Sequence, residues 1–174
     1  MLAASRLSHR QRTSLIDQPC GAQALAYAAA DALVDAVKRG VHVTVLTAAR
    51  ANIIGDLNLW TCAQLLQRTG SADNLRIVLH PRMVHGKAIV GDGTWVDIGS
   101  TNFTPPSHGG YEEVDLYCHD AAFAQQVEQA IERDIQDGTR ARLPIRYRSI
   151  YVAVERLLST VHGRSKTSKF RDAA

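Results

Sequence analysis

The Ala-rich stretch Ala22–Arg39, which runs almost directly into Val41–Thr47, constrains the fold of this 174-residue chain more than any other segment. Leu25, Ala29, Ala32, Leu33, Ala36 and Val37 recur near a helical period, and Lys38, Arg39 and Gly40 supply a basic last turn followed by a stop. The next seven residues, VHVTVLT, alternate and are rich in β-branched side chains, so a strand leaves the helix at once. A weaker strand candidate, Arg12–Pro19, precedes the helix and is closed by the turn Pro19-Cys20-Gly21. Strand, helix and strand in that order predict a βαβ unit with a parallel pair and a right-handed crossover.

The pattern continues through a loop, Ala48–Asp56, a second helix, Leu57–Arg68, ending near Gly70, and a strand at Leu75–Leu79. Lys87–Val90 and Trp95–Ile98 read as a hairpin around Asp92-Gly93, Val114–Cys118 as another strand, and Ala121–Ile135 as a long helix with Phe123, Val127, Ala130, Ile131 and Ile135 inward. The expected architecture is an α/β domain of order βαβαβββα, a mixed and mostly parallel sheet flanked by helices. It spans residues 13–138, behind an N-terminal arm at 1–12. Pro144 breaks the pattern, and a basic segment at 139–161 carries an amphipathic helix candidate, Ile145–Val161. Residues 162–174 read as a disordered basic tail.

The charge is uneven. The whole chain is +3, but from Thr139 onward there are nine basic and two acidic residues, leaving a −4 body and a +7 end. Such an end is suited to an anionic partner, a membrane surface or a nucleic acid, or else is simply a solvated terminus. Cys20, Cys62 and Cys118 show no CxxC and no Cys/His ligand spacing, so they read as reduced, mostly buried thiols, with no metal or other cofactor called for. There is no apolar run near the roughly 18 residues of a membrane span, and no secretory h-region at the start. The expectation is a cytoplasmic protein, soluble or peripheral on the inner membrane.

Chemistry concentrates in His85–Asn102, HGKAIVGDGTWVDIGSTN. His85 and Lys87, two apart on a strand, share a sheet face, and the returning strand brings Gly99-Ser100-Thr101-Asn102 beside them. An imidazole, an ammonium, a hydroxyl and a carboxamide suit an anionic tetrahedral group, with Lys and Asn donating to its oxygens while His attacks or protonates. His80 lacks a third ligand nearby and reads as a surface histidine. Glu112 reads as solvated, and Trp60 and Trp95 as core or rim.

HGKAIVGD followed by GSTN resembles the H-x-K-x4-D-x6-G-S-x-N signature of the phospholipase D superfamily, and the flanking segments resemble that family over roughly residues 13–138. The end, LPIRYRSIYVAVERLLSTV, is similar to the C-terminal end of bacterial cardiolipin synthases. The resemblance implies phosphodiester cleavage through a phosphohistidine, with His85 as nucleophile or acid, Lys87 and Asn102 holding phosphate oxygens, and Ser100 a further phosphate contact. Glu113 takes the family's downstream acidic position, whose carboxylate holds the other ring nitrogen of the nucleophile. Asp92 belongs to the signature, though its place at the turn points to structural hydrogen bonding. Between Asn102 and Glu113, Thr104, Pro106 and Tyr111 replace the Asp, Arg and Asn of the lipid-synthase branch, Ser107 is kept, and Phe103-Thr104 resembles the small nuclease branch.

The family builds its site from two His-Lys motifs, whereas this sequence has one. The resemblance therefore implies either a homodimer or the C-terminal half of a two-motif enzyme that meets a second half. Three functions follow. The first is a phosphodiesterase or phosphatidyltransferase acting on phospholipid headgroups, its basic tail on an anionic membrane. The second is an endonuclease, and the third is an inactive half-domain that binds without turnover.

Overall fold

Alanine is the strongest helix former, and the run of alanines from Ala22 forms helix α1 (Ala22–Lys38). Gly40 ends it at φ +91°, a conformation that costs glycine nothing. The N–H of Gly40 donates to the Val37 carbonyl at 2.9 Å and that of Val41 to Ala36 at 3.0 Å, the paired bonds of a Schellman stop. Helix α2 (Gly55–Arg68) ends the same way, with Gly70 at φ +63° and Ser71 N–H donating to the Leu66 carbonyl at 2.7 Å. These stops turn the chain back and launch strands β2 (His42–Ala48) and β3 (Leu75–His80). Helix α3 (Ala121–Gln136) is capped by Asp120, whose carboxylate accepts the Phe123 N–H at 2.9 Å.

The computed structural model describes residues 2–5, 22–49, 55–102, 112–154 and 157. Their remaining strands are β1 (Leu2–Ser5), β4 (Lys87–Gly91), β5 (Trp95–Gly99), β6 (Asp115–Cys118) and β7 (Thr139–Arg140). All seven form one sheet in the order β6-β5-β4-β1-β2-β3-β7. One face packs Val43, Val45, Leu75 and Ile77 against Val34 and Val37 of α1 and Cys62, Leu65 and Leu66 of α2. The other packs Leu46, Val78, Val90 and Val96 against Ala124, Ile131 and Ile135 of α3. Both faces of the central strands are thus largely removed from water, and the apolar runs Val45–Leu46 and Ile77–Leu79 put side chains on both.

The α/β class and the mixed, helix-flanked sheet are as expected, but the balance of pairings is not. Four of the six strand pairs are antiparallel, and only β1–β4 and β2–β3 are parallel. Two antiparallel pairs arise because β4, β5 and β6 follow one another as neighbours, and two more because β1 and β7 run against β2 and β3. Leu2–Ser5, in the stretch expected to be an arm, pairs antiparallel with β2 and inserts between it and β4. Arg12–Pro19 and Cys20 lie outside the described residues. The four strands read between α2 and α3 are all present, one more than the order βαβαβββα counts, and β7 adds another after α3. Four residues in β1 and two in β7 are too short to show an alternation, so their pairing depends on the edges of strands far away in sequence.

The C-terminal helix starts later than its sequence pattern does. Residues 149–154 and 157 are helical, and 145–148 are not. Arg148 is the boundary: its carbonyl accepts the N–H groups of Tyr151 and Val152, while its own N–H is taken by Asp56. Residues 158–161 of the candidate, and 162–174, fall outside the described residues.

Candidate active site

Strand direction gathers the signature at one end of the sheet. β2 and β3 are parallel, β1 opposes β2, and β4 follows β1. The start of β4, the end of β5 and the start of β6 therefore lie where β2 and β3 finish. Lys87, Gly99 and Asp115 face one another across β4, β5 and β6 in a single row.

Lys87 is the first residue of β4, whereas His85 precedes the strand in residues 83–86, which have no regular structure. The expected pair on one strand is thus one strand residue and one residue leading into it. They still meet. Lys87 Nζ lies 3.2 Å from Nδ1 and 3.1 Å from Nε2 of His85, and donates to the His85 carbonyl at 2.8 Å. The ammonium thus lies about as near to one ring nitrogen as to the other. His85 is exposed and Lys87 half-buried, so the ring faces solvent while the ammonium is anchored by the strand.

Ser100, the first residue after β5, donates its hydroxyl to Glu113 Oε2 at 2.5 Å and accepts the Val114 N–H at 3.0 Å. Its own N–H donates to the Val114 carbonyl at 3.0 Å, which carries the β5–β6 pairing one step beyond the strands. Thr101 donates its N–H to Asp115 Oδ1 at 3.1 Å and its hydroxyl to Asp115 Oδ2. Gly99 makes this approach possible, because a Cβ there would run into Asp115 and the Val114 carbonyl. Asn102 emerges exposed from the same end. Glu113 is assigned by sequence to the far ring nitrogen of His85, but the structure gives its carboxylate to Ser100; among the described residues the ring of His85 is met by Lys87.

Asp92 is not brought to this site. It sits in the turn at the opposite end of β4, where Asp92 (φ +54°) and Gly93 (φ +63°) form the left-handed pair of a type I′ hairpin turn. The five residues of β4 lie between it and Gly86, six steps and about 20 Å at the usual rise per residue. In this chain it therefore stands at the far end of β4 from His85 and Lys87. His80 corrects the other way: it is 3% exposed rather than a surface group. Its Nδ1 lies 3.1 Å from the Arg82 N–H, and it shares with His85, Arg82 and Asp134 the wall of a cleft of ≈ 300 Å³. Glu112 is exposed, as expected.

Two carboxylates on the Lys87 face escaped the sequence reading. Burial, and then the charge of Asp115, push the Asp97 carboxyl above its ordinary value. The signal was available once the hairpin was drawn, since Asp97 and Gly99 share a face and β6 puts Asp115 opposite Gly99. No group of three or more His, Cys, Asp or Glu side chains is placed to hold a metal among the described residues.

The chain belongs to the phospholipase D superfamily: residues 20–135 match the family described as cardiolipin synthase, PLD-like domain. Membership indicates an enzyme of the phosphodiesterase type. Among solved structures, a phospholipase D family member, Nuc from Salmonella typhimurium, is similar with a TM-score of 0.54 at 22% identity, covering 65% of this chain and 72% of that one. At that identity the likeness speaks for the fold. No curated protein matches the sequence.

Proposed function

We propose that the chain is a phosphodiesterase or phosphatidyltransferase acting on phospholipid headgroups through a phosphohistidine on His85. The observation that carries this reading is the Lys87 ammonium held against both ring nitrogens of His85, at the sheet end where Ser100 and Asn102 also emerge. A ring nitrogen attacks phosphorus, a P–N bond forms, and the P–O bond to the leaving alcohol breaks. Charge collects on the non-bridging oxygens, where Lys87 and Asn102 donate and Ser100 can turn from Glu113. The leaving oxygen takes its proton from a second imidazole, which a second copy of this chain supplies from its own His85 across a two-fold axis. In the second step that imidazole accepts the proton of an incoming hydroxyl, whose oxygen displaces the ring nitrogen. An alcohol gives transfer and water gives hydrolysis.

The test is turnover of a chromogenic phosphodiester and of phosphatidylglycerol vesicles by the same purified sample. His85→Asn and Lys87→Met should each lower both rates by about 10²–10⁴-fold or more. Mass spectrometry of lipid-treated protein should find the phosphatidyl adduct on His85. Unchanged rates in either variant overturn the reading.

A second reading, a nuclease, is supported by the exposed Arg142 and Arg146, which suit a phosphate backbone as well as a headgroup. Salt-sensitive cleavage of nucleic acid with vesicles untouched would select it. A strictly monomeric chain that turns over neither is a binding half-domain.

A further inference from the structure

The basic end of the chain is clamped to the body before it turns outward. Arg148 donates its N–H to Asp56 Oδ1 at 2.8 Å, and its Nε and Nη2 reach Asp56 Oδ2 at 2.9 and 2.7 Å. Asp56 stands in the first turn of α2, directly beyond β2, and so at the same end of the sheet as His85. Asn58, one step further along α2, locks that turn to the sheet by donating to the Ala48 carbonyl at 2.9 Å. The helix that starts at residue 149 buries Val152, 6% exposed, and the Arg148 guanidinium lies 3.8 Å over the Tyr151 ring.

The opposite side of that helix is unlike an ordinary solvated surface. Ile150, Val154 and Leu157, spaced as one helical stripe, are 72%, 48% and 64% exposed. Leu143 and Tyr151 are exposed nearby, as are Arg142 and Arg146. A cleft of ≈ 500 Å³ opens between α2 and the segment that leads into this helix, walled by Ala63, Gln67, Leu143, Ile145, Arg146 and Tyr147. Apolar wall, guanidinium and outward apolar stripe together match an amphiphile with an anionic head. A water-soluble polyanion would use the arginines and leave Ile150, Val154 and Leu157 in water.

We infer that the helical residues 149–154 and 157 form a lipid-docking surface: their apolar stripe enters the interface of an anionic membrane, Arg142 and Arg146 meet headgroup phosphates, and the Arg148–Asp56 clamp transmits that orientation to the His85 end of the sheet. The proposal deepens the lipid reading given above, on which its role in presenting substrate rests, but its test does not use lipid turnover.

The full chain is floated with vesicles of phosphatidylcholine alone and of phosphatidylcholine mixed with phosphatidylglycerol. Binding to the mixed vesicles only is expected, and the double variant Ile150→Glu/Val154→Glu should reduce it by about tenfold or more. Its thermal unfolding and chromogenic diester turnover should remain those of the parent, since both side chains point away from the body. Ile150→Trp gives an independent readout, a blue-shifted emission on adding the mixed vesicles. Undiminished binding by the double variant, or an unshifted tryptophan, overturns the proposal. So does a concentration-dependent dimer that the double variant dissolves, which would make a second copy the occupant. Vesicle binding without lipid turnover would leave docking standing and defeat the catalytic reading, and lipid turnover without vesicle binding would do the reverse.

Discussion

Gly99 sets the closeness of the site at the scale of single atoms. With no side chain there, Asp115 folds back over β5 to take both the N–H and the hydroxyl of Thr101, and the chain ends carrying Ser100 and Asn102 are held in one place. Gly99→Ala forces a methyl against Asp115 and the Val114 backbone, and a loss of about 1–3 kcal/mol is expected in urea unfolding. An unaltered midpoint would show that β6 yields without cost. Cys62 tests the interior: burial between α2 and the sheet pushes its thiol up to about 12. It should stay unmodified by a thiol-directed disulfide reagent at pH 8 in the native protein and react at once in denaturant. Cys118, half-buried, gives the internal comparison.

A polar clamp joins elements beside the two apolar layers. Hydrogen bonds from the Arg148 side chain, and then from its backbone N–H, hold the Asp56 carboxyl below its ordinary value of 3.8. A carboxyl lowered in this way stabilises the fold above its unfolded value, and the contribution is lost as pH falls through the lower folded value. Asp56→Asn should therefore lower the thermal midpoint at pH 7. The gap between variant and parent should close as pH falls below about 3.8, provided both remain folded enough to melt. A gap that does not change with pH would mean that the carboxylate's charge contributes nothing to the clamp. Asp97 carries the opposite sign: its raised carboxyl opposes folding once ionised, an effect relieved by acid.

For the whole molecule, one motif where the chemistry uses two histidines makes stoichiometry the decisive measurement. If both imidazoles come from a symmetric pair of chains, mixing parent with His85→Asn at equal amounts and letting subunits exchange leaves about one quarter of the active dimers. Activity should fall with the square of the parent fraction. A linear fall, to about one half at equal mixing, would show that each chain works without the other's histidine.

How much of this was legible in the sequence follows from the range of the interactions involved. Helices α1, α2 and α3 and the β4–β5 hairpin were readable because their signals are local: alanine runs, the apolar spacing of Phe123, Val127 and Ile131, glycines after the last turn and the Asp92-Gly93 turn act within a few residues. The signature itself, His85, Lys87, Ser100 and Asn102, was readable because one hairpin brings all four together. The places of β1 and β7, the antiparallel balance of the sheet, the burial of His80 and the hold of Asp56 on Arg148 were not. Each depends on partners dozens of residues apart, whose meeting is set by how strands order themselves to bury both faces of a sheet. So too with Glu113 and Asp92. Their spacing placed them in the family pattern, but only strand direction decided that one reaches Ser100 at the site and the other turns at the far end of β4. Sequence alone determined which chemical groups the chain carries and the reaction class they suit; the tertiary structure decided which of them share an end of the sheet, because strand order and direction are properties of the packed whole.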